Sequence, residues 1–214
     1  MLNLGIFISG RGSNLRAIYR AIKQKKLDAQ INLVVSNNPD AAGFQWAKDE
    51  GLLTVYLSRN DFTTEQEFIS AMLKELEDHG VNFIALAGYI AKLPAEVVRK
   101  YYPNILNIHP ALLPLFGGKG WYGQIPLKAA IESGMKFTGV TVHIVNEEYD
   151  AGPIVYQQPL EIKPEDTPET LEERSLKLQW EIYPYILQLF AQRKIKLKDD
   201  RVRILSTQKN NPKR

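Results

Sequence analysis

The sequence predicts an α/β fold in which a mostly parallel sheet, with helices on both faces, is extended by antiparallel strands in the C-terminal half. Three observations carry this expectation. Short β-branched apolar runs alternate with longer amphipathic stretches through the first half of the chain, the β-α-β-α order of parallel strands joined by crossover helices. After Pro110 the texture changes, and two runs of alternating polarity around a turn-rich segment read as an antiparallel pair. The chain's 214 residues, 44% of them hydrophobic, suffice to bury the core of one large domain or one domain of two lobes.

The expected strands are LGIFIS (4–9), INLVVS (31–36), LTVYL (53–57), NFIALAG (82–88) and ILNIH (105–109). Helix-like stretches separate the first four at about 14–26, 40–50 and 64–79, and the shorter LPAEVVRKYY follows at 93–102. Beyond the Gly-rich, aromatic LFGGKGWYGQ (115–124), IPLKAAIESG reads as a helix closed by Gly134. TGVTVHIV (138–145) and IVYQQPLEI (154–162) are alternating strands flanking the turn NEEYDAGP (146–153). A last helix starts at Thr167, an N-cap followed by Pro168 in the first turn, and runs toward Phe190. Pro184 is expected to kink or split it. With no internal repeat and no low-complexity linker, the expected organisation is a single domain over 1–190, with lobes at 1–109 and 110–190, and a basic tail at 191–214.

The net charge of +3 invites a nucleic-acid partner, but its distribution argues otherwise. Residues 191–214 hold nine Lys/Arg against two Asp/Glu, leaving 18 basic and 22 acidic residues in the body. The basic end reads as a solvated, frayed terminus rather than a nucleic-acid arm. The absence of Cys excludes disulfides and cysteine chemistry, and the three scattered histidines, His79, His109 and His143, make a poor zinc set, so no metal is expected. There is no arginine-rich presequence, secretory signal or apolar stretch near about eighteen residues, so a cytoplasmic location without membrane contact is the expectation.

In a parallel sheet, ligands bind beyond the C-terminal strand ends. The first such loop, SGRGSNL (9–15), places Gly10 and Gly12 where the backbone can turn tightly and Ser13-Asn14 where a helix opens, an arrangement suited to a phosphate. A dinucleotide fingerprint would need a third glycine where Leu15 stands and an acidic residue after strand two, where the chain reads SNN; neither is present. No Gly-Lys-Ser/Thr follows either. The loop is left as a single-phosphate site or a capped turn without ligand.

The second signal lies at the end of ILNIHP. Strand side chains alternate, so Asn107 and His109 project from one face and Pro110 ends the strand. An amide and an imidazole thus converge at the sheet rim, though His109 alone would also suit a structural role. Asp150, in the turn EEYDAGP, is the third candidate; a carboxylate beside His109 is expected to raise the imidazole pKa toward neutrality. Spacing alone does not bring residues 109 and 150 together.

With SGRGSNL, LAGY, NIHPALLP, TVHIVNEEYDAGPI and EIYP in this order, the chain resembles the glycinamide ribonucleotide transformylases of the folate-dependent formyltransferase family, over about residues 2–190. The resemblance implies a Rossmann-like formyltransferase fold, with a nucleotide-binding lobe at 1–109 and a folate-binding lobe at 110–190. It implies an enzyme of purine biosynthesis that moves the formyl group of 10-formyltetrahydrofolate to the amine of glycinamide ribonucleotide, working as a monomer or homodimer. Asn107, His109 and Asp150 would be the catalytic set, with protonated His109 and Asn107 donating to the formyl oxygen. Gly12, Ser13 and Asn14 would hold the substrate phosphate and Gln179 its ribose side. Ile90, Ala91, Lys92 and Leu93, with Asn107 and the loop Asn146, Glu147, Glu148, Tyr149 and Asp150, would hold the folate. Ala91 stands where relatives often carry Arg, Glu65 where some do, and Gln179 where many carry Glu. His143, on the same strand face as Thr141, is left outside the catalytic set.

Overall fold

A computed structural model describes residues 1–205. The chain runs β1 (Leu2–Ile8), α1 (Ser13–Lys23), β2 (Ala29–Ser36), α2 (Ala42–Asp49), β3 (Thr54–Tyr56), α3 (Glu65–Asp78), β4 (Phe83–Leu86), α4 (Ala95–Tyr101) and β5 (Ile105–His109). It continues with α5 (Ile125–Glu132), β6 (Phe137–Ile144), β7 (Ile154–Glu161), α6 (Pro168–Ala191), β8 (Ile195–Lys198) and β9 (Arg201–Ile204). Seven strands form one sheet in the order β3-β2-β1-β4-β5-β6-β7. The first five are parallel, and β6 and β7 add on as an antiparallel extension.

The chain winds outward from β1 in both directions, so the loops after β1 and β4 diverge and leave a crevice at the carboxyl ends of these neighbouring strands. Both faces are covered. Leu4, Ile6, Leu106 and Ile108 meet α1 and α6 through Leu15, Ile18 and Ile186. Phe7, Ile84 and Ile105 point the other way, into a layer closed by Met72 of α3 and Val97 of α4. Burial on both faces explains why these strands read as near-continuous apolar runs.

Helix starts follow local chemistry. Thr64 accepts from the Glu67 N–H while Glu67 reaches back to the Thr64 N–H, a full capping box for α3; Thr167 and Thr170 do the same for α6. Pro184 does not split α6, which runs unbroken from Pro168 to Ala191. Ile182, Tyr183, Ile186, Leu187 and Leu189 are all buried along it, and that apolar burial outweighs the roughly 3 kcal/mol that an internal proline costs. Tyr183 also anchors the helix: its hydroxyl sits 3.0 Å from the Leu86 carbonyl oxygen and 2.9 Å from that of Leu106, sharing one proton between β4 and β5.

The frayed basic end is corrected in part. Ile195 pairs with Ile204 and Leu197 with Val202 in an antiparallel hairpin, and Ile195, Leu197 and Val202 pack on the core. Alternating polarity, with Lys196, Lys198, Arg201 and Arg203 outward, forms this hairpin; counting charge alone hides it. Residues 206–214 of the expected tail lie outside the described residues.

Candidate active site

A cavity of about 400 Å³ opens at the crevice between the β1 and β4 ends. Gly10 to Asn14 form one end, Tyr89 to Leu93 and Asn146, Glu148 and Tyr149 the other, and Asn107, His109, His143 and Asp150 lie between them. Leu86, Leu93, Val98 and Val145 give it an apolar wall.

At the first end, Gly12 adopts a left-handed φ of 70° and caps α1 with no side-chain hydrogen bond. A Cβ on Gly12 would lie 2.7 Å from the Gly43 Cα, and the Gly43 N–H donates to the Gly10 carbonyl at 3.0 Å. Two glycines on different elements thus let the loop press against the start of α2, leaving the first N–H groups of α1 toward the cavity. Asn14 Nδ2 donates to Gln179 Oε1 at 2.9 Å, while the buried Asn14 Oδ1 has no partner among the described residues. The loop and Gln179, far apart in sequence, are therefore side by side.

At the centre, β5 and β6 pair with Asn107 opposite His143 and His109 opposite Thr141. Thr141 fixes the chain after the strand: its hydroxyl donates to the Ala111 carbonyl at 2.7 Å and accepts from the Leu113 N–H at 3.1 Å. Asp150 reaches the pair from its own loop in a left-handed conformation, φ 52°. Its Oδ2 lies 3.6 Å from His109 Nδ1 and accepts from the Gly118 N–H at 2.9 Å; its Oδ1 accepts from Asn107 Nδ2 at 3.2 Å. Asn107 Nδ2 is also 3.1 Å from His143 Nε2, and His143 Nδ1 is 3.1 Å from the Ile144 carbonyl oxygen. These distances suit a His143 that donates from Nδ1 and accepts at Nε2, which aims the Asn107 amide.

Sequence reasoning left His143 outside the catalytic set, as a supporting or a structural residue, and did not join it to Asn107. The only signal was its place in the alternating strand TVHIV; its role depends on the β5–β6 register, which puts it across from Asn107.

The electrostatics correct one expectation. Burial of His109, 3% exposed, is the strongest influence on its imidazole and pushes the pKa down; Asp150 and the Phe116 carbonyl pull it up without overcoming this, and His143 adds to the lowering. The resting imidazole is neutral at neutral pH, with Nε2 donating to the Phe116 carbonyl at 2.8 Å. Burial also raises the Asp150 carboxyl, but the His143 ring, with Nε2 3.4 Å from Oδ1, the neighbouring His109 and the Gly118 N–H together hold it below its ordinary value, so it stays ionised.

The Gly-rich segment lines the cavity with Gly118, Gly120, Trp121, Tyr122 and Gly123. At Gly117 an added Cβ would push on the Leu113 methyl end and come within 3.3 Å of the Asp150 Cβ. Of the expected folate contacts, Ile90, Ala91, Lys92, Leu93, Asn146, Glu148 and Tyr149 line the cavity, and the Lys92 ammonium lies 5.5 Å from the Tyr149 ring centroid. Glu147 does not; it pairs with Arg99 at 3.1 Å and lines an adjoining hollow together with Glu65 and Arg59. Among the described residues no group of His, Asp or Glu is arranged to hold a metal ion, and no helix is long and apolar enough to cross a membrane.

The Gly-rich loop and the Asn-His-Asp cluster share one cavity on this sheet, and residues 2–187 match the formyl transferase family, a class of group-transfer enzymes to which the chain belongs. The relatives make the class narrower. A phosphoribosylglycinamide formyltransferase of Haemophilus influenzae is 36% identical over 200 residues, covering 94% of this chain and 92% of that protein. The chloroplastic phosphoribosylglycinamide formyltransferase of Arabidopsis thaliana is 36% identical over 208 residues, 97% of this chain and 71% of that one. Among solved structures, glycinamide ribonucleotide transformylase 1 from Symbiobacterium toebii superposes with a TM-score of 0.89 at 33% identity, covering 96% of this chain and 95% of that chain.

Proposed function

We propose that this chain is a phosphoribosylglycinamide formyltransferase, carrying the formyl group of 10-formyltetrahydrofolate to the amine of glycinamide ribonucleotide in purine biosynthesis. The observation that carries this reading is the joining of a phosphate-type loop and the Asn107–His109–Asp150 cluster in one cavity, which also holds an apolar wall fit for a pterin. A hydrolase acting on the folate alone has no need of the loop.

In the reaction, the amine nitrogen forms a bond to the formyl carbon, negative charge builds on the formyl oxygen, and the bond to N10 of the folate then breaks. Asn107 and His109 supply N–H donors for that oxygen; each such donor is often worth about 3 kcal/mol when preorganised. Both are engaged in the free protein, Asn107 with Asp150 and His143 and His109 with Phe116, so substrate binding exchanges these contacts for the formyl oxygen. Charge building on that oxygen, with Asp150 alongside, favours a proton on His109 as the reaction advances. Ionised Asp150 accepts the amine's proton and returns it toward N10, directly or through a water. Gly12, Ser13 and Asn14 hold the phosphate, and Gln179 and the unpartnered Asn14 oxygen face the ribose. Ile90 to Leu93, Asn146, Glu148 and Tyr149 hold the pterin, with Lys92 the nearby cation.

Tetrahydrofolate release tests this. It should require glycinamide ribonucleotide and match formylated product one to one. Release at the full rate without the ribonucleotide would overturn the assignment in favour of a deformylase.

A further inference from the structure

Arg11 directly precedes the phosphate loop, and its guanidinium is paired with the Glu172 carboxylate of α6 across 161 residues of sequence. The Arg11 side chain is 72% exposed, Glu172 only 14%. The second oxygen of Glu172 accepts from Gln124 Nε2 at 2.6 Å, at the end of the Gly-rich segment. Arg11 and Glu172 both line the cavity beside Gly12, Ser13 and Asn14. A bare carboxylate here would repel an incoming phosphate; covered by a guanidinium it does not. A guanidinium carries five N–H donors in a rigid fork, enough to hold a carboxylate on one side and a phosphate on the other.

We propose that Arg11 is a further ligand for the phosphate of the ribonucleotide, aimed over the Gly12–Asn14 loop by Glu172, with Gln124 tying this pair to the Gly-rich wall. Glu172 is a positioning residue: it does not touch substrate, and it fixes a long exposed side chain that would otherwise lose its rotamer freedom on binding. The inference rests on the reading of the loop as a phosphate site.

The experiment pairs steady-state kinetics with calorimetric titration of ribose 5-phosphate, for the wild type, Arg11→Ala, Arg11→Lys, Glu172→Gln and the double variant Arg11→Ala/Glu172→Gln. Arg11→Ala should raise the ribonucleotide KM and the ribose 5-phosphate Kd about tenfold, while kcat and the folate KM stay within about twofold. Arg11→Lys should fall between, because an ammonium keeps the charge and loses the fork. Glu172→Gln should weaken the same two constants severalfold, and the double variant should be no worse than Arg11→Ala, since both changes act through one contact. Unchanged ribonucleotide KM and ribose 5-phosphate Kd in Arg11→Ala would overturn the phosphate role. Losses that multiply in the double variant would overturn positioning by Glu172. The titration needs no turnover, so weaker ribose 5-phosphate binding in a protein that transfers no formyl group would fault the catalytic reading and leave Arg11 in place.

Discussion

At the scale of single residues, His109 is the sharpest case of burial overruling a neighbour. A carboxylate brought beside His109 was expected to give a charged imidazole; burial keeps it neutral despite Asp150 at 3.6 Å. The sign follows from linkage. Below the ordinary imidazole value of about 6.5 the unfolded chain binds a proton that native His109 resists, so its contribution to stability is present above that pH and lost as the pH falls. Denaturant titrations of the wild type and His109→Gln should therefore show the wild type's relative stability declining from pH 7.5 to pH 5; a relative gain on acidification would mean that native His109 is protonated more easily than the unfolded one. In the proposed reaction Asp150 moves the proton, so in Asp150→Asn kcat should drop by roughly a hundredfold or more with the circular dichroism spectrum unchanged. A variant within threefold of wild type would take Asp150 out of the mechanism. Asn107 and His109 were legible because a strand's alternation puts them on one face at its end. His143 was not, because its place depends on which residue of β6 lies opposite Asn107, a matter of register between segments more than thirty residues apart.

Among the elements, the Asp150 loop and α6 do most to assemble the site. The loop returns into β7 through Gly152, where any Cβ would sit 1.9 Å from the Ile144 carbonyl oxygen. Gly152→Ala must displace the backbone that carries Asp150, and it should cost about 2 kcal/mol of stability as well as most of the activity. Chemical denaturation beside the transfer assay checks this; a stable and active variant would show the loop to be slack. Tyr183→Phe probes α6. It strips the donor from the Leu86 and Leu106 carbonyls and should cost about 1–3 kcal/mol, with the midpoint of urea unfolding as the readout and an unchanged midpoint as the contrary result. The helix itself was readable from its Thr167-Pro168 start, but its continuity through Pro184 was not, because a local rule about proline carries no information on how much apolar surface is buried beyond it. The β8–β9 hairpin escaped in the opposite way: its charge was counted and its alternation passed over.

Taken whole, the molecule places the Gly10–Asn14 loop and the Asn107–His109–Asp150 cluster at one crevice because the chain reverses its winding direction at β1 and opens the sheet there. That much was visible in the sequence, since parallel strands buried on both faces announce themselves as apolar runs and the winding places ligands at their carboxyl ends. Contacts that join distant segments, such as Asn14 with Gln179 and Arg11 with Glu172, needed the fold itself. Asn107, His109 and Asp150 are held as one unit, and in the proposed reaction that unit passes a formyl group from folate to amine without releasing it to water. The direct test follows a carbon-13 label in the formyl group of 10-formyltetrahydrofolate with glycinamide ribonucleotide present. The label should appear in the formylated ribonucleotide in step with tetrahydrofolate, with almost none in free formate; label collecting in formate at the rate of tetrahydrofolate release would contradict the account.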